Sequence, residues 1–398
     1  MQSVVVHYGE LALKGRNRPW FIRLLVRSIE RVLADQGVVD VRTMVGRIVV
    51  RLRPEADWLE VRRRLSRLPG IGNFARATHV PPDLDAISNA VVAAVADRST
   101  ASFRISARRA DKRFPVPSPD IERVVGRRVQ EVTGWPVDLS HPATIIRIEV
   151  LTADAFFYFD REPGEGGLPL GTGGKVMCLI SGGIDSPVAA ARLIRRGCRA
   201  HFVHFHSYPI LSRASQDKVR ALVTRLTEHQ LRSRLYFVPF GPVQQKVVIA
   251  VPPPLRVVVY RRLMMRIAEK LAWKTGAHAL VTGDSVGQVA SQTIANLAAI
   301  DSVATMPVLR PLIGFDKEEI TAEAQRIGTY ETSILPDDDC CTLFTPRFPA
   351  TRATRAVVEA AERELEIPAL VSEAVHASEV EDFSFPMLGL EVRSAAGN

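Results

Sequence analysis

Cysteine is scarce in this sequence, with four residues among 398. So few thiols in a long chain exclude a disulfide framework, and we expect them to be reduced. The sequence also lacks an uninterrupted run of eighteen apolar residues, so neither a transmembrane helix nor a membrane partner is predicted. Its first residues contain neither a basic segment nor a small-residue cleavage site, so we predict no signal peptide and a cytoplasmic location. A content of 46% hydrophobic and 24% charged residues excludes a disordered or fibrous chain.

Lysine is scarce as well, since the 52 basic residues comprise eight lysines and 44 arginines. Residues 1–165 hold 26 basic and 20 acidic residues, so they contribute +6 of the formal net charge of +9. Guanidinium groups pair well with phosphates, and this excess therefore favours a polyanionic partner for the first part of the chain. From charge alone, a biased genome composition explains the arginine content equally well.

The length predicts more than one domain, because a single hydrophobic core seldom extends beyond about 300 residues. Residues 1–58 combine short strands with a helical apolar periodicity over Trp20–Ala34, which predicts a small α+β module. Residues 59–165 predict a second α+β module. One of its strands, Phe103–Ala107, alternates apolar and polar side chains.

A change of composition separates these modules from the rest of the chain. The stretch Pro163–Gly174 contains six glycines and two prolines, and we interpret residues 166–174 as a linker. In residues 175–398, apolar strands such as Val176–Ile180 alternate with helices, while the region after Thr351 is mostly helical. This alternation predicts an α/β domain with a doubly wound parallel sheet and ligands at the C-terminal strand ends.

The strongest local motif is Ser181-Gly182-Gly183-Ile184-Asp185-Ser186, directly after the first strand of the α/β domain. Two glycines allow backbone amides to approach an anion, and Ser186-Pro187 predicts an N-cap followed by proline at the first helical position. The helix that follows would direct its positive end at a phosphate. Gly171–Lys175 looks like a Walker A loop, but it precedes the strand, so we reject it as the primary site.

This loop resembles the pyrophosphate loop (PP-loop) of the ATP pyrophosphatases, whose pattern is Ser-Gly-Gly-x-Asp-Ser. The resemblance implies that ATP is cleaved between its α- and β-phosphates and that AMP is attached to a substrate oxygen. The alternative, a glycine-rich turn without a ligand, fits the strand-loop-helix context less well.

Several further segments resemble the tRNA 4-thiouridine synthetases (tRNA sulfurtransferases). They are His7–Asn17, Arg108–Pro115, Thr282–Thr293, Arg310–Ile320, Ile327–Glu331 and Asp339–Thr342. The resemblance covers nearly the whole chain and implies three domains in order. These are a ferredoxin-like domain (1–58), a THUMP RNA-binding domain (59–165) and, after the linker, a PP-loop domain with a helical C-terminal tail (175–398).

The resemblance implies adenylation of a uridine near the tRNA acceptor stem, followed by replacement of its C4 oxygen with sulfur to give 4-thiouridine at position 8. It also implies sulfur supply to a carrier protein for the thiazole of thiamine, ATP and Mg²⁺ as cofactors, and a homodimer. Carried over by position, it assigns the nucleotide contacts to the loop and to residues along the strand ends. They are Leu179, Ile180, Ser181, Gly182, Gly183, Asp185, Ser186, His204, Phe205, Arg261, Gly283 and Gln292.

The same resemblance implies that Asp185 and Lys317 are important for adenylation, where a carboxylate can hold magnesium and a lysine can neutralise phosphate charge. Many family members carry a C-terminal rhodanese domain with a persulfide cysteine, and we expect none here because the chain ends at Asn398. A separate cysteine desulfurase would then supply sulfur to Cys340 or Cys341, whose thiolate is the nucleophilic form. The sequence does not decide between the two, and two packing thiols remain the alternative.

The densest basic cluster of the second module is a candidate RNA-phosphate contact, with a solvated charged face as the alternative. It comprises Arg104, Arg108, Arg109, Lys112 and Arg113. Cys198, His201, His204 and His206 lie close together in sequence. On a strand, however, His201 faces away from the other two histidines, so we predict no metal site there.

Two other functions stay open at this point. One is another PP-loop activity, such as 2-thiolation or an amidating synthetase. The second is an RNA-binding adaptor without catalysis, which the presence of Asp185, Lys317 and the paired cysteines argues against.

Overall fold

Two sheets organise the computed structural model, one in each of two units, Met1–Pro169 and Leu170–Asn398. The structure describes residues 2–110, 112–336, 344, 346 and 348–387. Within these ranges, no helix is both long enough and apolar enough to cross a membrane.

The first unit contains an eight-stranded sheet whose main path is β2-β3-β1-β4-β7-β6-β5, with β8 paired to β4. Strand β5 therefore lies at one edge of the sheet. The elements are β1 (Gln2–His7), α1 (Arg18–Val32), β2 (Val38–Met44), β3 (Arg47–Leu52), α2 (Trp58–Arg67), β4 (Asn73–Val80), α3 (Leu84–Val95), β5 (Phe103–Arg109), α4 (Ser118–Thr133), β6 (Thr144–Val150), β7 (Ala155–Tyr158) and β8 (Glu162–Pro163).

The predicted helical periodicity of the first module is confirmed in α1. Its residues Leu25, Ile29 and Val32 recur every three or four positions and are fully buried, whereas Arg23 and Arg27 are exposed. The apolar stripe therefore faces the core, and the arginines face solvent.

Strand β4 was not predicted from the sequence, because Arg76, Thr78 and His79 interrupt its apolar residues. It pairs with β1 through residues 73–77 and with β7 through residues 78–80. The sheet is therefore continuous across the predicted boundary between residues 58 and 59, and that boundary stays a prediction.

A buried charge cluster joins distant strands of this sheet. The Glu149 carboxylate on β6 lies 2.9 Å from Nε2 of His7 and accepts a hydrogen bond of 2.7 Å from the Tyr158 hydroxyl. Its other oxygen is paired with Arg47, whose side chain is also buried. Burial alone would raise the pKa of Glu149, but the hydrogen bond from His7 and the charges of His7 and Arg47 lower it to about 2. The cluster therefore links β1 and β3 to β6 and β7.

The second unit contains a six-stranded sheet in the order β13-β12-β9-β10-β11-β14. Strands β9 to β13 are parallel, which confirms the doubly wound α/β prediction. The elements are β9 (Lys175–Leu179), α5 (Asp185–Arg195), β10 (Arg199–His206), α6 (Ala214–Gln230), β11 (Arg232–Pro239), α7 (Gly241–Ala250), α8 (Arg256–Thr275), β12 (Leu280–Val281), α9 (Ile294–Asp301), β13 (Val308–Leu309), α10 (Lys317–Ile327), α11 (Tyr330–Ser333), α12 (Arg355–Ala361), α13 (Ile367–His376) and β14 (Glu379–Ser384).

The chain leaves β9 towards β10 on one side and reaches β12 on the other, so the strand order reverses at β9. Helices α5, α6 and α10 form one contiguous layer, while α7, α8, α9 and α13 form another. Ligands of doubly wound sheets bind at such a switch point, outside the C-terminal ends of the strands.

The C-terminal region contains helices α12 and α13, as predicted, and also a strand that was not predicted. Strand β14 pairs antiparallel with β11 at the sheet edge. Asp382 accepts two hydrogen bonds, of 2.8 and 2.9 Å, from Arg234, and Glu381 is paired with Arg220. Arginines on β11 and α6 therefore neutralise two adjacent acidic residues of this edge strand.

Candidate functional site

The predicted phosphate loop lies at the switch point. Strand β9 ends at Leu179, residues 180–184 form the loop, and α5 begins at Asp185. The prediction that Ser186 is the N-cap is wrong, because the helix begins at Asp185, two residues earlier than predicted, and its N-cap, Ile184, makes no side-chain cap.

Ser186 instead closes the loop on itself. Its hydroxyl accepts a hydrogen bond of 2.9 Å from the Ser181 amide and lies 3.2 Å from the Ser181 hydroxyl. The Ser333 hydroxyl of α11 donates to the Gly183 carbonyl at 3.3 Å. The loop is therefore held from inside and from a helix 150 residues further along the chain.

Asp185 and Lys317, which the sequence predicted as partners in one reaction, lie together. Lys317 Nζ donates to Asp185 Oδ1 at 2.9 Å, and the Gln288 amide donates to Asp185 Oδ2 at 3.0 Å. The side chain of Asp185 is 22% exposed and that of Lys317 is 52% exposed, so both can meet a ligand from solvent. An aspartate in the first turn of a helix is also favoured by the helix dipole.

Gly283 brings the end of β12 against the start of α5. A Cβ at this position would lie 2.7 Å from the Ser186 amide nitrogen, closer than a real Cβ contact allows. Only glycine permits this approach. The loop after β12, which includes Gln288, therefore lies beside Asp185.

Directly after this glycine, the buried Asp284 gathers side chains from four segments. Its Oδ1 accepts from Arg261 at 2.5 Å and from Gln292 at 3.1 Å, and its Oδ2 accepts from Thr282 at 2.7 Å and from Arg310 at 3.1 Å. Burial would raise the pKa of Asp284, but the charges of Arg261 and Arg310 and the hydrogen bond from Thr282 hold it below its ordinary value. Arg261 and Gln292, predicted separately as nucleotide contacts, are thus brought together by a residue that the sequence did not single out.

The remaining predicted nucleotide contacts line the ends of β9 and β10. The Ile180 amide donates to the Val203 carbonyl at 2.9 Å, and His204 Nδ1 donates to the Ile180 carbonyl at 3.0 Å. His204 and Phe205 are both buried, and Phe205 packs on the ring of Phe240. The assignment of nucleotide contacts to this segment stays a prediction.

The two cysteines proposed for sulfur transfer, Cys340 and Cys341, lie outside the described residues. The other two, Cys178 and Cys198, are free thiols in the interior, and burial raises the pKa of both. A thiol held protonated by burial is a poor nucleophile.

The described residues contain no group of three metal-ligating side chains. His201 is partly buried and His206 is buried, and this desolvation lowers the pKa of each to about 4. Both are therefore neutral at physiological pH.

The predicted basic cluster is divided by the structure. Arg104 donates to the Leu139 carbonyl at 2.9 Å and Arg109 to the Phe114 carbonyl at 2.7 Å, so both brace neighbouring loops. Arg108, Lys112 and Arg113 are exposed. Because β5 is an edge strand, its basic residues also discourage pairing with another chain.

The first unit also contains a cavity of about 650 Å³ that the sequence did not predict. Arginines and aromatic rings line it together: the Arg98 guanidinium lies 3.9 Å from the centre of the Phe159 ring, and that of Arg76 lies 6.0 Å from the centre of the Trp58 ring. Cationic and aromatic groups in one groove are typical of single-stranded nucleic acid binding.

Three family models match this chain. They are the ThiI ferredoxin-like domain at residues 3–75, the THUMP domain at residues 81–160 and the thiamine biosynthesis protein (ThiI) at residues 171–367. A Thermus thermophilus protein described as a probable tRNA sulfurtransferase is 49% identical over 379 residues, covering 95% of this chain and 93% of that protein. The chain belongs to the tRNA sulfurtransferase family. This confirms the family resemblance inferred from the motifs.

Other tRNA sulfurtransferase relatives are similar over the same extent. A probable member from Brevibacillus brevis is 41% identical over 384 residues, covering 96% of both chains. The crystal structure of a 4-thiouridine synthetase–RNA complex with bound ATP matches with a TM-score of 0.89 at 36% identity, covering 96% of this chain and all of that one. The Pyrococcus horikoshii protein PH1313 has the same fold, with a TM-score of 0.65 at 24% identity, covering 82% of this chain and all of that one.

Sequence reasoning missed Gln288, Asp284 and Ser333 as members of the site. Asp284 had a usable signal, since it is a charged residue three positions after the end of a buried strand, at the sheet edge where ligands bind. Gln288 lay in a recognised segment without an assigned role. Ser333 had no local signal, because only the packing of α11 against the loop brings it to Gly183.

Proposed function

We propose that this chain is an ATP-dependent tRNA sulfurtransferase that adenylates a uridine near the acceptor stem and replaces its C4 oxygen with sulfur, giving 4-thiouridine at position 8. The observation that carries the proposal is the Asp185–Lys317 pair beside the Ser181–Ser186 loop at the switch point of the sheet. Membership of the tRNA sulfurtransferase family supports the same reaction.

The chemistry begins with the uracil oxygen, which is a poor leaving group. In the proposed reaction this oxygen attacks the α-phosphate of ATP, pyrophosphate leaves, and the oxygen becomes part of an adenylate. A sulfur nucleophile then adds to C4, and AMP departs with the original oxygen. The loop amides, the start of α5 and the ammonium of Lys317 would stabilise the negative charge on the phosphates.

Asp185 is suited to magnesium. An ionised carboxylate has about four acceptor positions, of which Lys317 and Gln288 use two here. When bound, Mg²⁺ would neutralise phosphate charge, and Asp185 would be its protein ligand. The ammonium of Lys317, which lies beside this carboxylate, would pair with a phosphate oxygen.

Nucleotide binding is proposed for the loop and for the strand ends around it. The backbone at Leu179, Ile180, His204 and Phe205 would contact the nucleotide, together with the side chains of Arg261 and Gln292. Gly283 contributes by keeping this edge of the sheet close to α5. These assignments rest on positions carried over from the family and stay predictions.

For sulfur delivery we propose Cys340 or Cys341. The thiols of Cys178 and Cys198 are buried with raised pKa values, which removes them as nucleophiles. Ser333 and the Leu335 carbonyl, which accepts from Lys218 at 2.5 Å, anchor the chain shortly before the paired cysteines. A persulfide on one of them would donate its terminal sulfur to C4, and a thiol would then cleave the remaining S–S bond.

The first unit is proposed to bind tRNA. Arg108 and Lys112 are exposed cations suited to phosphates, and the cavity lined by Arg76 and Arg98 offers rings on which unpaired bases can stack. We propose that a cysteine desulfurase donates the sulfur and that a sulfur-carrier protein for thiamine thiazole synthesis is a second sulfur acceptor beside tRNA. The proposed assembly is a homodimer.

Reconstitution tests the proposal. The protein is incubated with Mg²⁺-ATP, unmodified tRNA, a cysteine desulfurase, cysteine and dithiothreitol, and the tRNA is digested to nucleosides. We expect 4-thiouridine, with AMP and pyrophosphate formed in proportion to it. A Lys317→Ala variant is the matched control and should form 4-thiouridine, AMP and pyrophosphate at least about 100-fold more slowly. Thiolation at a position of the base other than C4 would contradict the proposal. So would the absence of thiolation under conditions in which a known tRNA sulfurtransferase is active.

A further inference from the structure

The carboxylate of Asp284 is saturated by protein groups. It is 4% exposed, and each of its oxygens accepts two hydrogen bonds from side chains of the second unit. Since a carboxylate has about four acceptor positions, no position is left for a metal ion or a nucleotide. Asp284 therefore differs from Asp185, which still has open positions.

Two of the four donors are the proposed nucleotide contacts. Arg261 lies on α8, and Gln292 lies in a short 3₁₀ turn 31 residues further along the chain. Both donate to the same oxygen of Asp284. The second nitrogen of the Arg261 guanidinium donates to the Ser291 carbonyl at 3.2 Å, which fixes the plane of the group.

In this arrangement Arg261 can still donate hydrogen bonds to a ligand. Its side chain is 18% exposed, whereas that of Asp284 is 5% exposed. A guanidinium has five N–H donors, and three hydrogen bonds to Asp284 and Ser291 occupy its two terminal nitrogens. The remaining donors are held in one orientation before any nucleotide arrives.

We propose that Asp284 is the positioning residue of the nucleotide site, fixing the guanidinium of Arg261 and the amide of Gln292 in the geometry that ATP meets. The inference rests on the proposed function, because it takes both side chains as ATP contacts. Holding them in place beforehand avoids the loss of side-chain freedom that ATP binding would otherwise cause. Asp284 would thus act on ATP affinity without touching ATP.

The opposite side of the cluster offers a matched control. Arg310 donates to Asp284 and also makes two hydrogen bonds, of 2.6 and 2.7 Å, to Asp301. Asp301 contacts the cluster through Arg310, so Asp301→Asn removes a neighbouring charge while leaving the hydrogen bonds of Arg261 and Gln292 in place.

The experiment measures the KM for ATP and the kcat of tRNA-dependent AMP formation, together with the Kd for tRNA, in the full chain. Asp284→Asn keeps the size of the side chain but replaces one accepting oxygen with an NH₂ group. That group donates hydrogen bonds, and it would face side chains that also donate. We expect the substitution to raise the KM for ATP about tenfold or more without changing the Kd for tRNA. Asp301→Asn should leave the KM within about twofold of the wild-type value.

The double variant Asp284→Asn/Arg261→Ala separates positioning from general structural damage. If Asp284 acts through Arg261 and Gln292, Asp284→Asn should raise the KM by a clearly smaller factor in the Arg261→Ala background than in the wild-type protein, because only the part that acts through Gln292 is left. The inference would be overturned if the two substitutions raised the KM for ATP by independent factors that multiply in the double variant. It would also be overturned if Asp284→Asn left the KM unchanged. If Asp284→Asn does not fold, Asp284→Glu keeps the charge and moves the carboxylate by one methylene, and an unchanged KM in that variant would also overturn it.

The same measurements distinguish this inference from the proposed function. An unchanged KM in Arg261→Ala would contradict the proposed ATP contact itself. A raised KM in Arg261→Ala beside a normal KM in Asp284→Asn would contradict only the positioning role.

Discussion

Replacing Glu149 with glutamine should destabilise the first unit strongly. This carboxylate lies between His7, Arg47 and Tyr158, and its side chain is 7% exposed. Glutamine preserves the shape of the side chain but leaves the buried guanidinium of Arg47 without its counter-charge. Removing one partner of a buried ion pair is generally far more costly than removing an exposed one.

The magnitude follows from the pKa of Glu149. Hydrogen bonding from His7 and the charges of His7 and Arg47 outweigh the effect of burial and lower it from the ordinary value of 4.5 to about 2. At about 1.4 kcal/mol for each pKa unit, the ionised form contributes roughly 3 kcal/mol to the free energy of unfolding at pH 7. Because the folded-state pKa is depressed, this contribution is complete above about pH 4.5 and is lost as the pH falls towards 2. At pH 3 about 1 kcal/mol of it should remain.

Urea unfolding followed by tryptophan fluorescence provides the assay. Trp20, Trp58 and Trp135 lie in the first unit and Trp273 in the second, so the signal is dominated by the unit that carries the substitution. Asp85→Asn is the control, because Asp85 pairs with Arg128 in an exposed salt bridge worth at most about 1 kcal/mol.

Two results would refute this reasoning about Glu149. One is a loss of less than about 1 kcal/mol at pH 7 in Glu149→Gln, which would mean that the cluster contributes no more than a surface pair. The other is a loss that stays the same at pH 3, since a contribution from ionisation must shrink there.

Three further predictions concern function. Lys317→Ala should lower kcat for AMP formation about 100-fold or more, because it removes charge stabilisation at the phosphates, and normal kcat would remove Lys317 from the chemistry. Cys340→Ser or Cys341→Ser should retain AMP formation and lose 4-thiouridine, as measured by nucleoside analysis, and normal thiolation in both would exclude the persulfide role. Arg108→Ala should weaken tRNA binding and reduce the slope of log affinity against log salt by about 0.7 to 0.9, whereas unchanged affinity would indicate a solvated charged face.

Elements with strong local patterns were predicted closely. Helix α1 has a clear apolar stripe, and the six-residue motif Ser181–Ser186, which spans the end of the loop and the start of α5, is recognisable from its own residues. Strands β4 and β14 were missed because charged residues interrupt them. Their partners, β1 and β7 for the former and β11 for the latter, lie far away in sequence.

The candidate site likewise combines features that the sequence predicted with contacts that it did not. The sequence by itself determined the family and the doubly wound α/β domain, because motifs and strand-helix alternation are local patterns of residue types. The family resemblance then predicted that Asp185, Lys317, Arg261 and Gln292 belong to one site. Only the tertiary structure decided that Lys317 lies 2.9 Å from Asp185, that Gln288 shares that carboxylate, and that Asp284 holds Arg261 and Gln292 together. These contacts join residues 8 to 132 positions apart. They depend on which strands are neighbours in the folded sheet and on the close approach at Gly283, and neither is encoded in any one stretch of chain.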